Sequence, residues 1–316
     1  MLTNKAEIER LMRAARLYYE QNLTQQEIAD QLGVSRPLIS KMLAKARDLG
    51  IVTVNIKSPF ENNALASQRL IAAYGLKGAL VVPDAKSDFL TEQMLLTRTA
   101  GLLPELLSGV RCAGFGWGGL LDELAGLLPE GLEKIVAPGA VACPLIGSAT
   151  VSSRGYNTNE VVRRFAERTG MTARFLFAPA FPMTAAERDA YTGTSNFTAL
   201  KELWGAMDFA VVRIMSYPST PDHATALRFG NRLAAGRAAG SILSYFYDAS
   251  GTFIEGENDF LIACGRETLR STPTVLGVCA GNTSAAAIAG ALSTGLITHV
   301  VLSESKALAV ISRYVS

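Results

Sequence analysis

The chain has 316 residues, 49% of them hydrophobic and 18% charged, and a net charge of +2. This composition excludes a disordered, fibrous or disulfide-rich protein, and the length predicts two domains. Four widely spaced cysteines and only two histidines give no zinc-binding pattern, so we expect no metal site.

The N-terminal sequence MLTNKAEIERLMRAARLYYE is polar and amphipathic, unlike a secretory signal. The apolar stretch 285–302 approaches the length of a membrane span, but glycine, serine and threonine interrupt it. We expect it to form a buried helix followed by a buried strand. The sequence therefore predicts a cytoplasmic protein without a membrane partner.

The run TQQEIADQLGVSRPLISKMLAKAR, residues 24–47, predicts two short helices joined by a tight turn. Thr24 begins the first helix and Glu27 completes a capping box. Gly33 ends that helix, and Ser35 is the N-cap of the second. Two helices across a three-residue turn predict a helix-turn-helix.

The second helix exposes basic residues and short hydroxyls, as a helix in the major groove of DNA requires. Arg36 is suited to guanine, Ser40 and Lys41 to base edges or phosphates, and Lys45 to the DNA backbone. The alternative is a helical hairpin that docks a protein. The predicted DNA contacts are Thr24, Gln25, Ser35, Arg36, Pro37, Ser40, Lys41 and Lys45.

Residues 1–58 carry nine Lys or Arg and six Asp or Glu, whereas the remainder is close to neutral. Residues 51–56 alternate like a strand and predict a wing after the second helix. We therefore assign residues 1–58 to a winged helix-turn-helix domain that binds double-stranded operator DNA. Residues 59–78 are assigned to a linker helix. Because such heads bind DNA in symmetric pairs, we expect a homo-oligomer.

Residues 79–316 alternate strands and helices, which predicts a doubly wound, mainly parallel α/β domain. Such domains bind small ligands at the carboxyl ends of their strands. Strands are predicted at 79–82, 110–115, 134–137, 174–178, 208–214, 274–279 and 297–302. Helices are predicted at 88–107, 118–127, 157–169, 197–205, 283–293 and 305–313.

Two glycine-rich turns lie between a predicted strand and a predicted helix. The first, residues 114–119, fits GxGxxG, but a dinucleotide site also needs a carboxylate at the end of the next strand. The predicted strand 134–137 ends in Pro-Gly, so we expect no nicotinamide cofactor. Free amides at a helix N-terminus still suit an anion such as a sugar phosphate. The second turn, residues 279–284, permits the same function or only close packing.

Eight short motifs follow one another along nearly the whole chain. They are the head sequence TQQEIADQLGVSRPLISKMLAKARDLGIV, GWG at 116–118, PLIG at 144–147, NEVVRRFA at 159–166, APA at 178–180, GSI at 240–242, DASG at 248–251 and AIAGAL at 287–292. In this order they resemble the SorC family of bacterial sugar-responsive transcription regulators. The resemblance implies that residues 79–316 form a sugar- or effector-binding and oligomerisation domain, similar to the glucosamine-phosphate deaminase and ribose-phosphate isomerase fold. It also implies a tetramer, a dimer of dimers, whose grip on operator DNA changes when a sugar, polyol or sugar phosphate binds.

The resemblance and the two turns together define a predicted effector site. Its residues are Gly116, Trp117, Gly118, Gly119, Gly147, Ser148, Arg213, Asp248, Gly281, Asn282, Thr283 and Ser284.

Three positions depart from the family pattern. Leu120 stands where a threonine is common, Ser284 where a lysine is common, and Arg213 in a segment that is commonly glycine-rich. Arg213 is expected either to replace the missing positive charge or to pair with a carboxylate in a structural role. The lost hydroxyl and ammonium groups favour an unphosphorylated sugar or polyol.

The alternative function is a sugar-phosphate isomerase or deaminase with an accessory head. Such chemistry needs a carboxylate base within reach of a carbon-bound proton. Six carboxylates are candidates for that base: Asp122, Glu123, Asp248, Glu255, Glu257 and Asp259. We expect these residues to be solvated, to cap loops or to bind sugar hydroxyls, and we assign no catalytic residue. Repressor and activator both stay open.

Overall fold

The computed structural model describes residues 5–49, 51–52, 59–149, 154–218, 228–257 and 259–315. The chain divides into two units, a head, Met1–Ser58, and a body, Pro59–Ser316.

The described part of the head contains three helices: α1 (Lys5–Tyr19), α2 (Gln25–Leu32) and α3 (Arg36–Asp48). The predicted capping box is present at the start of α2, and Gly33 ends this helix with a φ of +65°. A side chain is strained at this φ, so glycine permits the tight turn. The helices share a small apolar core formed by Leu11, Ala15, Leu17, Ile28, Ala29, Ile39, Leu43 and Ala46.

The N-cap of α3 and the predicted wing strand differ from the prediction in the described residues. Ser35 is the N-cap residue of α3, but its side chain makes no capping hydrogen bond. Of the predicted wing strand, Ile51 and Val52 are described; they are not in a strand, and they pack on the head core. Residues 53–56 lie outside the described residues.

A largely parallel sheet organises the body, in the order β1-β9-β8-β5-β2-β3-β4. A hairpin of β6 and β7 joins the end of β5 in antiparallel pairing. The strands are β1 (Gly78–Val82), β2 (Cys112–Phe115), β3 (Val141–Pro144), β4 (Thr172–Ala173), β5 (Phe209–Ser216), β6 (Ala238–Ile242), β7 (Tyr245–Asp248), β8 (Thr274–Cys279) and β9 (His299–Ser303).

Helices cover both faces of this sheet, as the alternating sequence predicts. Successive residues of β5 belong alternately to one buried cluster and to the other: Phe209 and Val211 to one, Ala210 and Val212 to the other. The body helices are α4 (Pro59–Tyr74), α5 (Asp88–Leu106), α6 (Gly119–Leu127), α7 (Thr158–Thr169), α8 (Ala185–Thr192), α9 (Ser195–Gly205), α10 (Arg232–Ala235), α11 (Arg266–Ser271), α12 (Ala285–Ser293) and α13 (Glu304–Val315).

Helix α4 occupies most of the predicted linker, residues 59–78, and packs on the body: Ala66 and Leu70 are buried in its core. The stretch 285–302 forms α12 and most of β9, which confirms the predicted helix and strand. In the described ranges, no helix combines the length and apolarity needed to cross a membrane.

Two predicted strands were wrong. Residues 134–137 do not form a strand; a 3₁₀ turn at Leu132–Lys134 lets Leu132 and Val136, four residues apart, bury together. The next strand of the sheet is instead β3. Near 174–178 only β4 forms, and the chain then leaves the sheet because the Asn159 side-chain amide hydrogen-bonds both backbone polar groups of Leu176.

Candidate effector crevice and nucleic-acid interface

The central strands β2 and β5 mark a reversal in the winding of the sheet. The chain continues from β2 towards β3 and β4 on one side, and from β5 towards β8 and β9 on the other. Ligands of open α/β sheets bind in the crevice outside the carboxyl ends of the strands at such a reversal. The two predicted glycine turns follow β2 and β8, so both lie at this edge of the sheet.

The first glycine turn, residues 116–119, connects β2 to α6 in a conformation that requires glycine. Gly118 is buried with a φ of +116°, and its N–H donates to the carbonyl of Gly155 at 2.7 Å. A Cβ on Gly155 would lie 2.5 Å from the Gly119 nitrogen. Two backbones therefore meet here without room for a side chain. Sequence reasoning missed Gly155, because this contact is not local.

Arg213 on β5 lies beside the first turn. A Cβ on Gly118 would lie 3.3 Å from the Arg213 Cδ. Among the described residues, the buried Arg213 Nε has no hydrogen-bond partner and the guanidinium forms no ion pair. Burial raises the pKa of Cys279 on β8 to about 12, and the positive charge of Arg213 acts in the opposite direction. Arg213 therefore holds an uncompensated positive charge between the two turns, within the described part of the chain.

The second glycine turn, residues 281–284, is already well hydrogen-bonded. The Gly281 N–H donates to the Glu92 Oε2 at 3.2 Å, and the Ser284 N–H donates to the Ser216 Oγ at 2.9 Å. The Thr283 Oγ1 accepts from Ala280, and the Ser284 Oγ accepts from Ala287 to cap α12. The exposed member is Asn282.

Two residues outside the predicted site, Glu92 and Ser216, thus shape the second turn. Glu92 brings a negative charge to the turn, at the amide that would otherwise be offered to an anion. Ser216 ends β5 three residues after Arg213, so one strand reaches both turns. Neither contact has a local sequence signal.

Gly147 and Ser148 follow β3. The residue after them contacts the first glycine turn through Tyr156. A Cβ on Gly147 would lie 2.6 Å from the Ala180 nitrogen, so close backbone approach explains this glycine. Ser148 is half-buried and donates to Asn157 at 3.4 Å. The next residue donates its N–H to the carbonyl of Tyr156, whose ring packs edge-on against Trp117 with centroids 5.4 Å apart.

Asp248 is not brought to this crevice. Its carboxylate accepts hydrogen bonds from the N–H groups of Ser250 and Thr252 and from the Ser250 hydroxyl. Burial raises the pKa of Asp248, but these hydrogen bonds outweigh it and lower the pKa below its usual value. The Asp248 carbonyl would lie 2.3 Å from a Cβ on Gly290, six residues beyond Ser284 and about 9 Å along the helix axis. Asp248 therefore closes a turn beside the C-terminal half of α12.

An aromatic cluster leads from the first turn to a buried arginine that sequence reasoning missed. The rings of Trp117 and Phe181 lie 5.6 Å apart, and the Arg228 guanidinium stacks 4.8 Å from the Phe181 ring centroid. The Arg228 side chain is 4% exposed and pairs with Asp259 at 2.9 Å, while no described residue makes a hydrogen bond with its Nη1. Nothing in the sequence distinguishes this arginine from its neighbours.

The carboxylates considered for catalysis have structural partners. Asp122 pairs with Arg164, Glu255 with Arg266, Glu257 with Arg232 and Asp259 with Arg228, while Glu123 accepts from the Gln93 amide. Among the described residues, each of these five carboxylates is therefore engaged with another side chain.

No cofactor or metal arrangement emerges in the described ranges. The strand after the first turn is β3, and Leu145, Ile146 and Gly147 follow it, so the carboxylate of a dinucleotide site is also missing at the corrected strand. Within the same ranges no group of three or more His, Cys, Asp or Glu side chains could hold a metal ion.

In the head, the structure brings part of the predicted DNA contacts together. Arg36 shares a cleft of about 610 Å³ with Thr24, Gln25 and two residues not foreseen, Tyr18 and Tyr19. The Thr24 hydroxyl and N–H are held by the Glu27 carboxylate, which lowers the pKa of Glu27. This cleft lies at the N-terminus of α2, where the helix end favours a phosphate and the Glu27 carboxylate opposes one.

The remaining predicted contacts lie along α3. Ser35, Pro37, Ser40 and Lys41 are all exposed. Lys45 differs, because its ammonium forms an ion pair with Glu7 of α1. The exposed surface of α3 therefore offers Arg36, Ser40 and Lys41 without partners among the described residues, and Lys45 with a competing one.

Comparison with known proteins gives a consistent result for both units. Residues 58–312 match the family described as "Putative sugar-binding domain", and residues 9–48, which run from within α1 to the end of α3, match "Sigma-70, region 4". The chain is 30% identical to the sorbitol operon regulator of Klebsiella pneumoniae, over 97% of this chain and 98% of that protein. It is 27% identical to the deoxyribonucleoside regulator of Bacillus subtilis, over 92% of each.

The fold of the chain is also similar to that of a solved regulator structure. The crystal structure of the full-length sorbitol operon regulator superposes with a TM-score of 0.72 at 27% identity, covering 98% of this chain and 100% of that one. The relatives are named transcriptional regulators and not enzymes. The chain therefore belongs to the SorC family: it is a DNA-binding transcriptional regulator with a helix-turn-helix head and a body that binds a sugar effector.

Proposed function

We propose that the effector binds in the crevice between the first glycine turn, Arg213 and the second glycine turn, and that this binding changes the affinity of the head for operator DNA. The observation that carries the proposal is Arg213. A buried Nε without a partner is costly, and here it lies beside Gly118 at the reversal of the sheet. A bound hydroxyl, carboxylate or phosphate oxygen would satisfy it.

The two turns differ in charge, which limits how an effector can lie between them. The first turn lies beside the Arg213 guanidinium, whereas the Gly281 amide of the second is occupied by the Glu92 carboxylate. A second negative charge at Gly281 would face Glu92 at close range. The effector therefore presents neutral hydroxyl groups to the second turn. A sugar or polyol meets this requirement, and any phosphate lies at the Arg213 end.

Control of DNA binding requires coupling between subunits. We propose a homo-oligomer, a dimer of dimers in the cytoplasm, whose paired heads bind two half-sites of a carbohydrate or polyol operon. An effector that favours one arrangement of the bodies by about 1 to 3 kcal/mol changes operator affinity by roughly 5- to 150-fold. Arg36, Ser40 and Lys41 contact bases or phosphates, and Thr24 and Gln25 position the head on the backbone.

The DNA activity is tested by affinity selection of genomic fragments with the purified full-length chain at about 150 mM salt, where purely electrostatic binding is weak. Enrichment of one or a few sites supports a sequence-specific regulator, and the adjacent genes indicate which sugars to titrate. Equal recovery of all fragments, with and without a mixture of sugars, would refute it.

The crevice is tested by thermal shift with pentoses, hexoses, polyols and their phosphates. The Arg213→Gln variant should lose the stabilisation given by the active compound, whereas Arg313→Gln, an exposed change on α13, should retain it. Equal stabilisation of both variants would place the effector elsewhere. Stabilisation by phosphorylated compounds alone would overturn the preference for a neutral sugar or polyol.

A further inference from the structure

We propose that Leu38 is a specificity-determining residue for DNA, and that it recognises the C5-methyl group of a thymine in the major groove. The proposal rests on the placement of α3 against DNA under the proposed function, and it adds an apolar base contact to the polar ones named there. Sequence reasoning missed Leu38, because the basic residues and short hydroxyls of the helix carried the interpretation.

Leu38 is exposed, although the neighbouring apolar residues of α3 are buried. Its exposed fraction is 44%, whereas Ile39 is fully buried and Leu43 is only 3% exposed. Leu38 also stands outside the apolar core that the described residues of the head form. Its side chain is therefore open to a partner from outside the described part of the head.

The helical period places Leu38 on the same flank of α3 as Lys41 and Lys45. These lysines follow it by three and seven positions, and residues at this spacing lie above one another on a helix. Both lysines are exposed. Arg36 precedes Leu38 by two positions, so these two side chains lie on different flanks of the helix. One flank of α3 therefore carries an apolar group followed by two cations, and the other flank carries Arg36.

Leu38 lies at the end of α3 that meets the bases. In a helix-turn-helix, the N-terminal residues of the recognition helix contact base edges. Leu38 is the third residue of α3, and its N–H donates to the carbonyl of the N-cap residue Ser35 at 2.9 Å. The buried side chain of Ile39 holds this turn against the head core. The backbone that carries Leu38 is therefore in place before DNA binds.

Thymine offers the group that an apolar side chain at this position can recognise. The base edges of the major groove present hydrogen-bond donors and acceptors, and thymine adds a C5-methyl group that proteins contact with apolar side chains. Leucine cannot form hydrogen bonds with the polar edges. The cations on the same flank favour the phosphate backbone of DNA over an apolar protein partner. A thymine methyl group therefore fits both the chemistry and the position of Leu38.

The methyl group can be removed from the DNA without changing any polar group of the base pair. Deoxyuridine has the same hydrogen-bonding edge as thymidine and lacks only the methyl group. Burial of one methyl-sized group changes an equilibrium constant by about fourfold. The guanine contact of Arg36 is unaffected by this replacement, because guanine is unchanged. Replacing thymine by uracil therefore isolates the contact assigned to Leu38.

The test measures binding of the full-length chain to labelled duplexes by fluorescence anisotropy at about 150 mM salt. One probe is a synthetic duplex of a site recovered by the genomic selection, and the other is the same duplex with deoxyuridine in place of every thymidine. The unmodified chain should bind the deoxyuridine duplex about fourfold more weakly for each contacted methyl group. Replacements at single positions then locate the thymine.

Two variants of the head assign the effect to a residue. Leu38→Ser should bind the thymidine duplex as weakly as the unmodified chain binds the deoxyuridine duplex, and it should not distinguish the two duplexes. Leu49→Ser is the matched control, because Leu49 is 45% exposed and lies at the opposite end of α3. It should retain the full preference for thymine. Circular dichroism establishes that both variants are folded.

Equal affinity of the unmodified chain for the thymidine and deoxyuridine duplexes overturns the proposal. A preference that Leu38→Ser retains in full, or that Leu49→Ser loses to the same extent, overturns it as well. A random duplex separates these results from a failure of the proposed function. A chain that prefers the selected site and ignores the methyl group refutes the role of Leu38 alone, whereas equal binding of selected and random duplexes refutes sequence-specific recognition by α3 as a whole.

Discussion

The ion pair between Lys45 and Glu7 gives a quantitative test of how α3 meets DNA. Its side chains are 49% and 45% exposed, and an exposed pair of this kind contributes about 0.2 to 1 kcal/mol. A DNA phosphate that binds Lys45 must first displace Glu7. Removing the carboxylate in Glu7→Gln should therefore raise affinity about 1.4- to 5-fold, equally for operator and random DNA.

The salt dependence measures the same contact independently. Each phosphate contact contributes about 0.9 to the slope of log K against log salt concentration. Lys45→Ala should reduce the slope by this amount, which corresponds to about 3.5-fold in the ratio of affinities at roughly 50 and 200 mM salt. Arg36→Ala should instead reduce the preference for operator over random DNA.

Fluorescence anisotropy with labelled operator and random duplexes measures both quantities. Lys201→Ala, an exposed change in the body, is the matched control and should alter neither. A Lys45→Ala slope equal to that of the unmodified chain would refute the phosphate contact and leave Lys45 as a link between α1 and α3. Weaker binding by Glu7→Gln would show that the ion pair orients Lys45 and does not compete with DNA.

Three further predictions concern stability and the crevice. Thr24→Ala removes the capping box of α2 and should destabilise the head by about 1 kcal/mol, seen as a lower melting temperature by circular dichroism. Burial lowers the pKa of His299 below 6.5, so its contribution to stability is complete above pH 6.5 and is lost on acidification. Urea unfolding of His299→Gln should show a weaker pH dependence in this range, and an unchanged dependence would exclude this residue as its source. Gly155→Ala places a Cβ 2.5 Å from the Gly119 nitrogen, and such overpacking costs about 1 to 3 kcal/mol. It should abolish effector stabilisation in thermal shift while DNA binding persists.

The head was predictable because its determinants are local. Thr24 and Glu27 are three residues apart, and Gly33 immediately follows the helix that it ends. The sheet was less predictable, because whether a short apolar run becomes a strand depends on distant neighbours. Residues 134–137 and 141–144 are both short and apolar, but only the second pairs with β2.

The residues of the candidate site also divide into those with a local sequence signal and those without one. Glycine turns between strands and helices mark one edge of the sheet, and the chain pattern alone located them. Gly155, Glu92 and Ser216 act through contacts between segments that are far apart in sequence, so no local motif reveals them. Asp248 is the opposite case. The serine and threonine that follow it at two and four residues are typical of a side chain that closes its own turn.

The walls of the crevice are formed by β2, β5 and β8. These strands are far apart in the sequence, so the ribosome synthesises them at different times. A binding site of this kind exists only when all three strands are assembled, so partial unfolding that separates them releases the ligand. A ligand at about 100 times its dissociation constant adds roughly 2.7 kcal/mol to the stability of the folded state. Proteases degrade unfolded chains. The sugar would thus set how long each regulator molecule survives, as well as how tightly it holds DNA.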